Sequence, residues 1–366
     1  MKAKYIWRQQ LNTIRQGVSL KLQTNSEHAK QRARAFLEQG IPPRQSQAFL
    51  ALLNGLMGDH LLRRKSRLAL PMVLTDQQQV LADNSAPLAT QLPHATGRIV
   101  LCVHGWCMAD KGWLRKGHDH GQQFVAMGYT PLYLRYNTGK HISLNGEEFA
   151  FRLEKLLIAW PCPVKELVII GHSMGGLVSR SACYYADQHQ LNWLQHLTTF
   201  ITLGTPHNGA PLARFACWID EYVAGIPQLS LLRKIGDMRS SGTKDLSRGY
   251  IVHHAWEQKS SLKTGLKAGD RTGTPLKSRP LLPANTHCYA VATCLSKHTH
   301  DDKHRKVGDG LVPVDSALGA ATKNVQALNY PKHHQWLVGG VNHVDLLSHP
   351  QVRNQLMQWV LANAPA

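Results

Sequence analysis

The sequence predicts an α/β fold: a mostly parallel central sheet flanked by helices, with an N-terminal helical extension and an inserted cap region. Three observations predict it. From about residue 97, short runs rich in aliphatic residues alternate with segments of helical spacing, the pattern of strands joined by crossover helices. The runs "RIVLCVHG", "YTPLYLRY", "ELVIIG" and "LTTFITLG" are apolar without alternation, as strands buried on both faces must be. The stretch from 209 to about 286 then breaks the pattern, mixing glycines, prolines and basic residues with short apolar pieces such as "FACWIDEYVAGI".

Residues 1–90 form the expected extension, and 91–366 the main domain with its cap insertion at about 209–286. In the extension, "SEHAKQRARAFLEQG" opens on Ser26 as a cap and places Ala29, Ala33, Phe36 and Leu37 on one face; Gly40 and Pro42-Pro43 end it. A second amphipathic helix, "RQSQAFLALLNGLMGDHLLRRK", carries Phe49, Leu52, Leu53, Leu56 and Met57 on its apolar side. Its basic end (Arg63, Arg64, Lys65, Arg67) reads as a solvated helix terminus whose cations favour the C-terminal dipole. "RLALPMVLT" reads as a short strand entering the main sheet. Further on, "GHDHGQQFVAMG" and "EEFAFRLEKLLIAW" are helical, and "HCYAVAT" is a late strand. "PQVRNQLMQWVLANA" is the closing helix, with Pro350 at its start.

Composition bounds the partners. Hydrophobic residues make up 43% and charged residues 18%, which excludes a disordered chain. With 42 Lys and Arg against 23 Asp and Glu, the net charge is +19, a surface that attracts anions. An anionic membrane surface fits that charge. No RNP-like, zinc-finger or helix-turn-helix pattern organises it, so no specific nucleic-acid partner is expected. The seven cysteines lie in apolar segments and suit reduced thiols better than a disulfide framework. The N-terminal "MKAKYIWRQQLNTIRQ" has polar residues where a signal peptide needs an apolar core, and no run approaches membrane-span length. The expected location is cytoplasmic.

The chemistry centres on Ser173 in "GHSMGG", a G-x-S-x-G pattern lying between the strand "ELVII" and the helix "GGLVSRSACYYA". Such a serine occupies a strained strand-to-helix turn, and its neighbours two positions away must be small because strand and helix backbones converge there. Gly171, Gly175 and Gly176 meet that demand. A serine nucleophile needs a base and the base an orienting acid, in the order Ser, acid, His along the chain. "KVGDGLVPVDSA" supplies Asp309 and "VGGVNHVDLLSHP" supplies His343. Asp315 competes for the acid role but suits a helix start better, and His333, His334 and His349 compete for the base. A developing oxyanion needs two fixed donors. The backbone N–H of Met174 follows the nucleophile at a helix N-terminus, and the His104-Gly105 turn lets the N–H of Trp106 point inward.

Taken in order, "VHGW", "GHSMGG", "GTPHNGAP", "GDGLVPVDSA" and "NHVDLL" resemble the oxyanion, elbow, post-elbow, acid and histidine loops of the α/β-hydrolase superfamily. The resemblance is to its lipases and esterases, closest to the group of bacterial triacylglycerol lipases and GPI inositol-deacylase-like hydrolases, and it covers roughly 97–362. It implies an α/β-hydrolase fold and Ser173, Asp309 and His343 as nucleophile, acid and base. It also implies hydrolysis of a small-molecule or lipid ester through an acyl-enzyme, with no cofactor. A thioesterase or acyltransferase would use the same residues; the rival of another class is a non-catalytic α/β-hydrolase scaffold binding an anionic partner.

Two histidine clusters suggest other chemistry. His298, His300, Asp301, Asp302 and His304 crowd the insertion 295–306 that delays the acid loop, and "GHDHG" places His118, Asp119 and His120 together. Neither spacing fits a fixed helix face or hairpin, so no metal site is expected. "GHDHG" should line a pocket or cap a helix instead. Asn137, His141 and Asn145 follow a strand end, where ligand-facing loops lie, and are expected to shape the pocket.

Overall fold

A computed structural model describes residues 43–211, 213–214, 240–254, 279–299, 301–322 and 325–364. The anticipated helix beginning at Ser26 and most of the anticipated cap insertion lie outside these residues.

Seven strands make one sheet, in the order β1-β3-β2-β4-β5-β6-β7. They are β1 (Val73–Thr75), β2 (Arg98–Val103), β3 (Thr130–Arg135), β4 (Glu166–His172), β5 (Leu197–Leu203), β6 (His287–Cys294) and β7 (Gln335–Gly339). Only β1 runs antiparallel, against β3, and every other neighbour is parallel. The expectation of a mostly parallel sheet therefore holds. Strand β4 sits between β2 and β5 at the middle of the sheet and is buried along its whole length, because "ELVIIGH" is covered by helices on both faces.

Among the described residues the α-helices are α1 (Pro43–Arg63), α2 (Ser85–Gln91), α3 (Ile142–Ile158), α4 (Met174–Gln188), α5 (Ser241–Arg248), α6 (Asp302–Val307), α7 (Val314–Ala317) and α8 (Pro350–Ala362). Alternate residues of β2 feed two cores. Ile99, Leu101 and Val103 join one that includes residues of α1, α3 and α4. Val100 and Cys102 join the other, closed by Val352, Leu356 and Val360 of α8. Each such aliphatic side chain contributes about 1.5–3 kcal/mol by leaving water. Phe49, Leu52, Leu53, Leu56 and Met57 of α1 are all buried in the first core, so this part of the extension shares the core of the sheet. Arg63 lies at the exposed end of α1, near Asp59 at 3.7 Å.

The cysteines at 102, 107, 162, 183, 288 and 294 are free thiols. Among the described residues no helix is long and apolar enough to cross a membrane.

Candidate active site

The elbow is built by β4 and α4. Ser173 stands between them at φ 53 and ψ −123, a left-handed value that a side chain adopts only when its surroundings enforce it. Its N–H donates to the carbonyl of Leu203 at 2.8 Å, which ties the turn to the end of β5. A Cβ on Gly171 would lie 2.6 Å from the Gly176 Cα, and one on Gly175 would collide with the carbonyls of Val103 and His104. The glycines are there because strand and helix backbones touch.

Asp309 and His343 arrive from the ends of β6 and β7. Asp309 Oδ2 and His343 Nδ1 are 2.7 Å apart, and both residues are buried. The second carboxylate oxygen accepts the N–H groups of Leu311 and Val312 at 2.9 and 2.8 Å, and the main-chain carbonyl of Asp309 accepts the His343 N–H at 3.1 Å. An ionised carboxylate only accepts hydrogen bonds, so in the neutral imidazole the ring proton is on Nδ1 and Nε2 is the basic nitrogen. Gly204, at φ +56, makes room for the pair: a Cβ there would stand 3.1 Å from both Asp309 Oδ2 and His343 Nδ1.

The charged insertion leaves Asp309 in reach because its neck is closed. The Leu295 N–H donates to the Gly308 carbonyl at 2.9 Å, and Asp301 caps α6 through the Lys303 N–H at 2.8 Å. Of the competing residues, Asp315 lies in the first turn of α7 and pairs with Arg305 at 2.7 Å. His334 Nδ1 bonds the Cys288 carbonyl, His333 adjoins it ahead of β7, and His349 precedes α8 at its N-cap.

Ser173 and His343 line one small cavity with Gly105, Trp106, Met108, His172, Leu311 and Val344. It encloses about 10 Å³, space for about one water molecule. A larger hollow of about 410 Å³, between Trp160, Pro161, Trp193 and His196, lies at the edge where the parallel strands begin, away from Ser173. Met174 is the first residue of α4, and Trp106 lies in the loop after β2. That loop is braced from below. His104 stacks on Tyr136 at 4.4 Å, the Tyr136 hydroxyl donates to the His104 carbonyl at 2.7 Å, and burial pushes the His104 imidazole down to about 4.

Several supports of the site carry no sequence motif. The indole N–H of Trp106 donates to the Gly55 carbonyl of α1 at 3.2 Å, and Ser240 at the start of α5 donates to the same carbonyl at 2.7 Å. Helix α1 thus braces the loop that carries Trp106. His172, beside Ser173, bonds the His343 carbonyl through Nε2 at 3.0 Å. Asp345 accepts from Lys116 at 2.8 Å, Arg115 at 3.2 Å and Asn342 at 2.9 Å, clamping the histidine loop to the 115–116 turn. The hydrogen bonds to Lys116 and Arg115 hold its carboxyl below the usual range, although partial burial opposes them. The only sequence hint was the polar string "NHVD" around His343.

The remaining polar motifs are structural. In "GHDHG", Asp119 accepts the Gly121 and Gln122 N–H groups, capping the turn that follows, and His120 bonds the Leu346 carbonyl at 2.9 Å. Asn137, His141 and Asn145 knit loops together through Gly58, Asp245 and the Asn137 carbonyl rather than lining the cavity over Ser173. Among the described residues, no three His, Cys, Asp or Glu side chains are placed to share a metal ion.

The strand order, the strained serine turn after the central strand and the loops that follow β6 and β7 define the class of fold: it is an α/β-hydrolase fold. Residues 155–271, which carry the elbow and the loop after β5, match the family model of the PGAP1-like alpha/beta domain. No curated protein matches the chain in sequence. Among solved structures, the mature lipase BlEst2 of Bacillus licheniformis is similar at 16% identity and a TM-score of 0.44, covering 72% of this chain and 91% of its own. The RedJ thioesterase of the prodiginine pathway in Streptomyces coelicolor is similar at 14% identity and a TM-score of 0.41, covering 74% and 91%. The epoxide hydrolase VrEH1 of Vigna radiata is similar at 12% and 0.41, covering 73% and 92%.

Proposed function

We propose that the chain hydrolyses carboxylic esters as a serine esterase of the lipase/esterase kind. The observation that carries this reading is the 2.7 Å contact between Asp309 and His343 beside a serine held at φ 53 in the same cavity. In this reading His343 Nε2 takes the proton of the Ser173 hydroxyl as its oxygen attacks the ester carbonyl. Asp309 holds the imidazole in the reactive tautomer and stabilises the imidazolium that forms. The backbone N–H groups of Trp106 and Met174 hold the oxyanion, His343 returns the proton to the leaving alkoxide, and water attacks the acyl-enzyme by the same route. None of these steps uses a cofactor.

The free thiols support a reducing compartment, which we take to be the cytoplasm, and the +19 charge supports attraction to an anionic membrane surface.

A fluorophosphonate probe tests the nucleophile: the native protein labels and Ser173→Ala does not. Equal labelling of both, or none of the native protein, overturns the reading. A p-nitrophenyl ester series of rising acyl length is expected to be turned over by the native protein and not by Ser173→Ala, and the chain length of highest kcat/KM separates a short-chain esterase from a lipase. Turnover of thioesters with no turnover of oxygen esters would move the assignment to a thioesterase.

A further inference from the structure

Away from Ser173, two arginines are buried with no carboxylate beside them among the described residues. Arg180, midway along α4, is 0% exposed. Its Nη1 meets His207 Nδ1 at 2.7 Å, while its Nε and Nη2 have no hydrogen-bond partner. Arg279 is also buried. It donates to Asn208 Oδ1 at 2.6 Å, to the His207 carbonyl at 3.2 Å and to the Gly319 carbonyl at 2.8 Å, and its Nε has no partner. Both guanidinium groups are therefore held on one residue, His207, whose other ring nitrogen meets the Tyr330 hydroxyl at 3.1 Å. The buried hydroxyl of Thr205 is a further unpartnered group. It lies against Gly176, one turn before Arg180 on the same helix.

Within the described structure the charges do not balance. Among the described residues, the titratable groups acting on Arg180 are Arg279, Tyr330 and Cys183, and on Arg279 only Tyr330. Burial, then the neighbouring Arg279, push Arg180 down to about 9, and burial pushes Arg279 down to about 10, so both stay charged at neutral pH. Burial, and then the two arginines, hold His207 neutral. Two like charges held on one residue in a dry interior, with donors left over, are costly unless a negative charge joins them. Water would satisfy the donors but not the charge.

We propose that Arg180, Arg279 and Thr205 form a buried site for a small inorganic anion of the halide class. The leftover groups can all donate: two N–H positions of Arg180, one of Arg279 and the Thr205 hydroxyl. A halide supplies the negative charge, accepts from several donors at once and, being monatomic, needs less room in a close-packed interior than phosphate or sulfate. Once bound, the anion joins α4 to the loop after β5 and to the Arg279 segment. The site is independent of the esterase reading.

Crystals of the full chain soaked in sodium bromide provide the direct test: an anomalous peak within contact distance of Arg180 is expected. In solution, replacing gluconate by chloride at constant ionic strength should raise Tm by ~2–4 °C and then saturate, as binding to the native state alone requires. Arg279→Met should abolish that gain, and Arg180→Met should do the same if it folds. Absence of bromide at the cluster overturns the proposal. Bromide in the crystal with superimposable chloride and gluconate curves indicates an adventitious ion only, and equally overturns it.

Discussion

His172 donates its Nε2–H to the main-chain carbonyl of His343 at 3.0 Å, so the residue next to the candidate nucleophile holds the loop of the candidate base. The two rings are tilted against each other at 4.8 Å, and burial, then the nearby His343, keep His172 well below the usual histidine range. A neutral imidazole here both fixes the loop and avoids placing a second positive charge beside the His343 imidazolium of the proposed mechanism. His172→Phe keeps the ring and loses the donor, leaving a buried carbonyl unpaired. We expect kcat to fall ~10–100-fold with KM little changed. A loss confined to KM would assign His172 to substrate binding instead.

Asp309 and Asp345 both hold His343, but by different physics. Asp309 is buried and fixes the tautomer, so Asp309→Asn should lower kcat by about 10⁴-fold, the size of effect known for a triad carboxylate in another hydrolase. Asp345 is partly exposed and works through ion pairs with Lys116 and Arg115. Such pairs are worth about 0.2–1 kcal/mol, so Asp345→Asn should cost less than about tenfold. The esterase activity proposed for the native protein should decline modestly between low and high salt, and that decline should vanish in the Asp345 variant. Steady-state rates at two ionic strengths check both statements.

Gly204→Ala adds one methyl group at φ +56, within 3.1 Å of Asp309 Oδ2 and His343 Nδ1 and 2.8 Å of Leu346 Cδ1. Backbone strain costs about 1–2 kcal/mol, and the methyl pushes the acid and base apart. The expected result is a folded protein with Tm lowered by a few degrees and kcat reduced more than tenfold. Wild-type kcat in this variant would show that the geometry tolerates separation of the pair.

Acid should destabilise the fold through its buried histidines. Burial lowers His104 to about 4 and His120 to about 3, and lowers His172 and His207 as well. Below about 6.5 the unfolded chain binds protons that the folded one refuses, so stability falls as pH falls. The contribution of His104 is fully present above 6.5 and is lost between there and about 4, amounting to about 3 kcal/mol. Urea midpoints measured from pH 7.5 to 5 should drop steeply, and His104→Asn should remove about one proton from that slope. A flat profile would show that these rings are charged in the folded protein.

Local chemistry is why so much of the scaffold was legible. Buried parallel strands read as unbroken apolar runs, so "ELVII" and "TTFIT" declared themselves, and the glycines around Ser173 marked a close approach of backbones that the structure displays. The supports were not legible. Trp106 rests on Gly55, 51 residues earlier, and Asp345 meets Lys116 across 229 positions. No periodicity or spacing encodes such contacts. Asn137, His141 and Asn145 look the same in sequence whether they face a ligand or a neighbouring loop; the loops that pack on them made them structural.

By itself, the sequence determined the alternating strands and helices, the strained turn at Ser173 and the chain order of serine, acid and histidine, because each depends on neighbours within a few residues. Tertiary structure alone decided that Asp309 reaches His343 across a charged insertion, that α1 belongs to the core of the sheet, and that Arg180 and Arg279 are buried around His207. These outcomes depend on where the ends of distant strands come to lie, and packing sets those positions.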